Sequence, residues 1–138
     1  MTDNRGSFLT IAHTALRVAA GLAFFTHGAQ KLFGWFGGMG PDGGAVPLMS
    51  QFGAAGVIEV VAGLGIALGL FTRPLAFIAS GEMAVAYFMV HWGGSGKPFW
   101  WANGGELALL YSFLFLWMSA AGAGPYSVDA QMKRSKTA

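Results

Sequence analysis

Four apolar stretches, about residues 8–30, 48–71, 74–92 and 102–122, are each long enough at ~1.5 Å per residue to cross a ~30 Å hydrocarbon core. The segments between them read as turns and loops. Gly37, Gly38, Gly40, Pro41, Gly43, Gly44 and Pro47 crowd into the first connection and oppose a regular helix through backbone entropy and missing donors. Thr72-Arg73-Pro74 reads as a tight hinge between the second and third spans, and 93–99 as a short link to the fourth. The sequence therefore predicts an all-α integral membrane protein. It forms one domain, an antiparallel four-transmembrane-helix bundle with an outer loop at 31–47 and a cytoplasmic tail at 123–138.

Composition points the same way. Hydrophobic residues make up 54% of the 138 and charged residues only 10%, too few charges to coat a soluble domain of this size. Without cysteine there is no disulfide framework, iron-sulfur cluster, thiol nucleophile or cysteine-based zinc site. No two histidines stand at metal-ligand spacing on one helix, so no metal centre is predicted. The formal net charge is +2 and shows no nucleic-acid footprint. No phosphate-cradling glycine motif and no G-x-S-x-G elbow occurs, which argues against a self-contained hydrolase.

With both tails on one side, that side carries Arg5, Arg73, Lys133, Arg134 and Lys136 against Lys31 and Lys97 on the other, which predicts cytoplasmic termini. Arg17 interrupts the first apolar stretch, so that stretch reads as a retained span rather than a cleaved signal. Trp35, Phe36, Trp92, Phe99, Trp100 and Trp101 fall at the outer ends, where amphipathic rings prefer the interface. Gly65 and Gly69 form a small-xxx-small pair expected to let helices approach closely.

The placement of charge is the informative feature. Glu59, Glu82 and Glu106 all lie within predicted spans, and Arg17 lies within another. At roughly 2.5 to 3.5 kcal/mol for a central Arg or Asp, such residues are expected to face the bundle interior and find partners. Counting from the cytoplasmic ends puts Arg17 at ~13 Å, Glu82 at ~12 Å and Glu59 at ~18 Å depth, predicting an ion pair from Arg17 to Glu59 or Glu82. Such a cluster either fixes helix register or holds a movable proton.

Nearer the outer surface lie His27 and Lys31 on the first span, His91 on the third, and Asn103 and Glu106 on the fourth. A vestibule rimmed by His27, Lys31, Lys97 and Glu106 and floored by Arg17 and Glu59, with His91, Asn103 and Trp100 beside it, suits an amphipathic ligand such as a quinone. Glu59, Glu82 and Glu106 would then relay protons. Each residue also has a structural reading. Asn103-Gly104-Gly105-Glu106 resembles a capping box, Lys31 can snorkel, and His13 suits the interface. His27 and His91 stand at similar height, as a bis-histidine haem needs, but no other haem signal accompanies them.

Arg17-Val-Ala-Ala-Gly21, His27-Gly28-Ala-Gln-Lys31-Leu32, Glu59-Val-Val-Ala-Gly63, Leu68-Gly69-Leu70-Phe71-Thr72-Arg73 and Asn103-Gly104-Gly105-Glu106 with Tyr111 resemble the DoxX family of bacterial four-helix membrane proteins. The resemblance implies a protein of the bacterial cytoplasmic membrane, related to the membrane subunit of thiosulfate:quinone oxidoreductase and associated with redox partners. Lacking cysteine and any cofactor motif, this chain would supply only the quinone end of such chemistry. Three functions are thus expected: a quinone-interacting subunit of a membrane redox system, a scaffold that recruits a soluble or membrane redox enzyme, or a solute or proton-coupled transporter built from a homo-oligomer.

Overall fold

The computed structural model describes residues 4–137, with side chains described for 5–136, and among the described residues the regular structure is entirely helical. Helix α1 spans Asn4–Phe33 and α2 Gln51–Leu68. Helix α3, Thr72–Val85, continues without a break into a π-helical segment, Ala86–Trp92, and a last turn, α4, Gly93–Ser95. After a short link come α5, Trp100–Asn103, then α6, Glu106–Ala121, and α7, Val128–Thr137. Among the described residues, three helices, Arg5–Phe33, Gln51–Leu68 and Thr72–Ser95, are long and apolar enough to cross a membrane.

The fourth expected crossing is shorter than its sequence suggested. Gly104 takes a left-handed conformation (φ 73°) that separates α5 from α6, and Asn103 Oδ1 accepts from the Gly105 amide at 2.7 Å to close the break. The remaining apolar helix has 16 residues. Thr72-Arg73-Pro74 is not the hinge. The reversal falls at Gly69–Phe71, where Gly69 (φ 71°) ends α2 and the Leu70 amide returns to the Gly65 carbonyl at 2.8 Å. Pro74 instead occupies the first turn of α3, where its missing amide hydrogen costs no helical bond.

Helices α1, α2, α3 and α6 pack in a ring, α1 on α2, α2 on α3, α3 on α6, and α6 back on α1 through Phe115 and Phe24. The tightest seam joins α1 to α2. A Cβ on Gly21 would lie 2.5 Å from the Ala67 amide nitrogen, and one on Gly63 would lie 2.5 Å from that of Phe25. One on Gly28 would lie 2.7 Å from the Val60 amide nitrogen. These glycines, with Gly56, repeat at a spacing of seven on each helix and bring backbone against backbone. The expected Gly65 and Gly69 pair does not make this seam, because Gly65 faces Leu75 and Gly69 belongs to the turn beside Ser127.

On the other side, α3 and α6 are clamped by reciprocal bonds. Ser80 Oγ donates to the Ser112 carbonyl at 2.8 Å and Ser112 Oγ to the Ser80 carbonyl at 3.1 Å. Phe24, Ile66, Phe115 and Met118 fill the middle of the ring completely, with Phe24 meeting Phe115 edge-on at 4.8 Å. The outer surface is apolar, Phe8, Leu9, Phe77 and Phe113 each being more than 60% exposed, as lipid contact requires.

The tail folds back. Asp129 on α7 accepts from the Phe71 and Thr72 amides at 2.8 and 3.0 Å, satisfying the first turn of α3, while its own amide donates to the Gly69 carbonyl at 2.8 Å. His13 Nε2 lies 3.0 Å from the Gly122 carbonyl and its ring meets Trp117 edge-on, so His13 braces the start of the tail.

Gly28→Leu is expected to force α1 and α2 apart and destabilise the bundle by about 1 to 3 kcal/mol. Gly81→Ala, with nothing within 4 Å of the added carbon, should be neutral or slightly stabilising. Thermal unfolding of both variants in detergent checks the contrast.

Candidate functional site

The α1–α2 register decides which charges meet. It sets Arg17 against the last turn of α2, where helical carbonyls lack intrahelical partners, and not against a carboxylate. Arg17 Nη1 donates to Ile66 O at 2.7 Å and Ala67 O at 2.5 Å, and Nη2 donates to Tyr126 O at 2.8 Å. The guanidinium, 2% exposed, ties α1 to the end of α2 and to the segment leading into α7. The expected ion pair from Arg17 to Glu59 or Glu82 is therefore overturned. The register imposed by the glycines, not depth along each span, sets which groups meet.

The buried pair is Lys31 with Glu59. Lys31 Nζ lies 2.6 Å from both carboxylate oxygens, and both residues are almost fully buried. Snorkelling of Lys31 to the outer interface is thereby overturned. Gly56 permits the arrangement, since a Cβ there would lie 3.0 Å from Lys31 Cβ.

This pair lies on the wall of a cavity of about 680 Å³ between α1, α2, α3 and α6. Its polar lining comprises His27, Lys31, Gln51, Glu59, Glu82, His91 and Tyr111. Phe52, Ile58, Phe77, Ile78, Val85 and Leu107 supply an apolar remainder. Glu82 Oε2 is buried and has no hydrogen-bond partner among the described residues. His27 meets the edge of Tyr111, whose ring stacks on Phe115 at 5.3 Å in the packed layer below.

The π-helical segment brings His91 to the upper wall, where Nδ1 lies 3.3 Å from the Asn103 carbonyl. Such wider turns recur at functional sites because they displace side chains from the regular helical stripe. Met39 from the outer loop also reaches the cavity. That loop is laid back on α1 by a bond from the Val46 amide to the Lys31 carbonyl at 2.8 Å.

Of the site residues named from the sequence, the structure gathers His27, Lys31, Glu59, Glu82 and His91 around one cavity. Arg17, Asn103, Trp100 and Glu106 do not line it, nor does Lys97. Asn103 is occupied in the link before α6, its Nδ2 donating to Lys97 O at 3.0 Å. Glu106 begins α6 and is exposed, and the capping-box reading of it also fails, because Gly105 is the cap and no side chain closes it. Trp100 is exposed and packs edge-on against Trp101. Gln51 and Phe52 were not singled out because they sit at the start of a span with no charge to mark them. Tyr111 was visible only as part of a family resemblance.

The DoxX family model matches residues 12–92, covering α1 from residue 12 onward, α2, α3 and the whole π-helical segment. An uncharacterized protein of Haemophilus influenzae is 47% identical over 117 residues, which span 83% of this chain and 85% of that protein. No solved structure matches the chain.

Lys31→Met alone leaves a buried carboxylate without its cation and should cost about 3 to 5 kcal/mol, whereas Lys31→Met with Glu59→Met should recover most of that loss. Denaturation of both variants in mixed micelles measures the difference.

Proposed function

The chain belongs to the DoxX family of membrane proteins, and from that premise we propose that it is an integral membrane subunit that binds a quinone within a membrane redox system. The observation that carries the reading is the composition of the cavity wall: a buried Lys31–Glu59 pair, an unpartnered Glu82 oxygen, two histidines and a tyrosine at the end of an otherwise apolar space. Its volume of about 680 Å³ falls in the range of roughly 300 to 1,000 Å³ usual for small-molecule sites.

The ring of a quinone has two carbonyl oxygens that accept hydrogen bonds and an isoprenoid tail that belongs in lipid. In this reading Lys31, His27 and Tyr111 donate to the ring oxygens, and the tail leaves past Phe52, Phe77 and Ile78. Reduction to the quinol takes two electrons and two protons. Glu82 and His91 are placed to pass protons, with Glu59 holding Lys31 in position. The electrons come from a redox partner protein, since this chain has no cysteine and no cofactor motif.

The four helices α1, α2, α3 with its extension, and α6 are taken as four crossings of the bacterial cytoplasmic membrane. Both termini then lie on the cytoplasmic side, which places the α2–α3 turn and α7 there with Arg73, Lys133, Arg134 and Lys136. Lys97 and the exposed, stacked Phe99 and Trp101 fall at the opposite interface. A scaffold role would use that aromatic cluster, Trp100 included, to hold a partner. A transporter would need a path through the layer of Phe24, Ile66, Phe115 and Met118, each fully buried.

Protein purified in mild detergent should carry about one quinone per chain in its organic extract, identified by mass spectrometry. Tyr111→Phe and His27→Ala should each weaken quinone retention about two- to tenfold, at roughly 0.5 to 1.5 kcal/mol for one lost hydrogen bond to a neutral carbonyl. Glu82→Gln should retain the quinone but slow its reduction. An extract without quinone overturns the reading, and a Soret band in the visible spectrum replaces it with haem held by His27 and His91.

A further inference from the structure

At the end of the bundle away from the quinone cavity, a second cavity of about 540 Å³ lies between the start of α3, the end of α6 and α7. Arg73, Lys133 and Lys136 line it, drawn from two helices far apart in sequence. One carboxylate lines it as well, that of Asp129, and both its oxygens are already engaged by the Phe71 and Thr72 amides. Among the described residues that line the cavity, three side chains carry positive charge and one carries negative charge.

Helix α7, which carries two of these cations, is fastened to the bundle, while the cationic residues themselves are exposed. Asp129 fastens α7 to the α2–α3 turn, and Arg17 fastens the segment just before it through Tyr126 O. Lys133 and Lys136, three residues apart, share one face of α7. The Arg73 guanidinium packs against Gly122, where a Cβ would come within 3.2 Å of Nε. Around this charged hollow stand apolar side chains turned outward: Phe71, 59% exposed, Tyr126, 65% exposed, and Met132, 39% exposed.

We propose that this cavity is a binding site for the phosphate headgroup of an anionic phospholipid. The basic hollow takes the phosphodiester, and the neighbouring Phe71, Tyr126 and Met132 meet the glycerol and upper acyl chains. A free phosphate would be met by the same cations but would gain nothing from the exposed apolar rim, which is why the lipid is the chosen occupant. Juxtamembrane cations each strengthen attachment to an anionic leaflet roughly fivefold, and cations fixed in one hollow convert that general attraction into a site.

The test uses the full-length protein, delipidated in neutral detergent and titrated with phosphatidylglycerol, phosphatidylcholine or inorganic phosphate, with bound lipid counted by native mass spectrometry. Phosphatidylglycerol should bind about tenfold or more tightly than phosphatidylcholine. The combined variant Arg73→Gln, Lys133→Gln, Lys136→Gln should abolish that preference, and Lys97→Gln at the other end should leave it unchanged. If the triple variant fails to fold, Lys136→Gln alone, at an exposed position, should weaken binding about fivefold. Asp129→Ala, which releases α7, should also lose the preference. Equal binding of the two lipids, or undiminished phosphatidylglycerol binding by the charge-removed variants, overturns the proposal. Displacement of the lipid by inorganic phosphate at comparable concentration overturns the lipid assignment in favour of a free-phosphate site. None of these outcomes bears on the quinone cavity.

Discussion

The close approach of α1 and α2 is the constraint on which the remaining arrangement depends. Gly21 and Gly28 on one helix meet Gly63 and Gly56 on the other, so the two backbones interlock with almost no freedom to slide. A slip by one helical turn, ~5.4 Å, would take Arg17 off the Ile66 and Ala67 carbonyls and Lys31 off Glu59 together. In hydrocarbon, where apolar surface alone provides little drive for helices to associate, each polar contact checks the register that the glycines set.

That register divides the molecule into two ends separated by a packed layer. At one end Arg17, His13, Asp129 and the α2–α3 turn hold the tail against the bundle, so the residues 122–129 act as a brace. At the other, the helices part around a cavity whose wall carries an ion pair and several further titratable side chains. The layer of Phe24, Ile66, Phe115 and Met118 isolates one end from the other. Tyr111 spans the boundary, since its ring stacks on Phe115 while it also lines the cavity.

Much of this was legible from the sequence, and what was not has an identifiable cause. Apolar runs gave the helices to within a few residues because bilayer-length hydropathy is a one-dimensional signal. Intramembrane charge marked Arg17, Glu59 and Glu82, of which Arg17 and Glu59 bond to other helices while Glu82 Oε2 has no partner among the described residues. Their pairing was misread, because partner choice depends on the offset between two helices, and that offset was set by Gly21, Gly28, Gly56 and Gly63 rather than by the more conspicuous Gly65 and Gly69. Glu106 drew attention by its charge although it sits exposed at a helix start. Gln51 and Tyr111 were overlooked as site residues because neutral polar groups leave no trace in a charge map. The docking of α7 escaped for a related reason: a short polar tail looks solvated until Asp129 is seen against the two amides it caps.

The π-helical winding of Ala86–Trp92 makes the cavity unusually sensitive to chain length. A π turn accommodates one residue more than an α turn over the same height, so removing a single codon within this stretch would restore regular winding and rearrange the side chains inside it while leaving the helix beyond nearly in place. Val90 and His91, which line the cavity from inside the stretch, are the side chains that would be redistributed. The hydropathy of the span, and hence its path through a bilayer, would hardly change. Across related chains, length polymorphism at this one place would therefore be a change of pocket chemistry disguised as a silent trimming of a membrane helix.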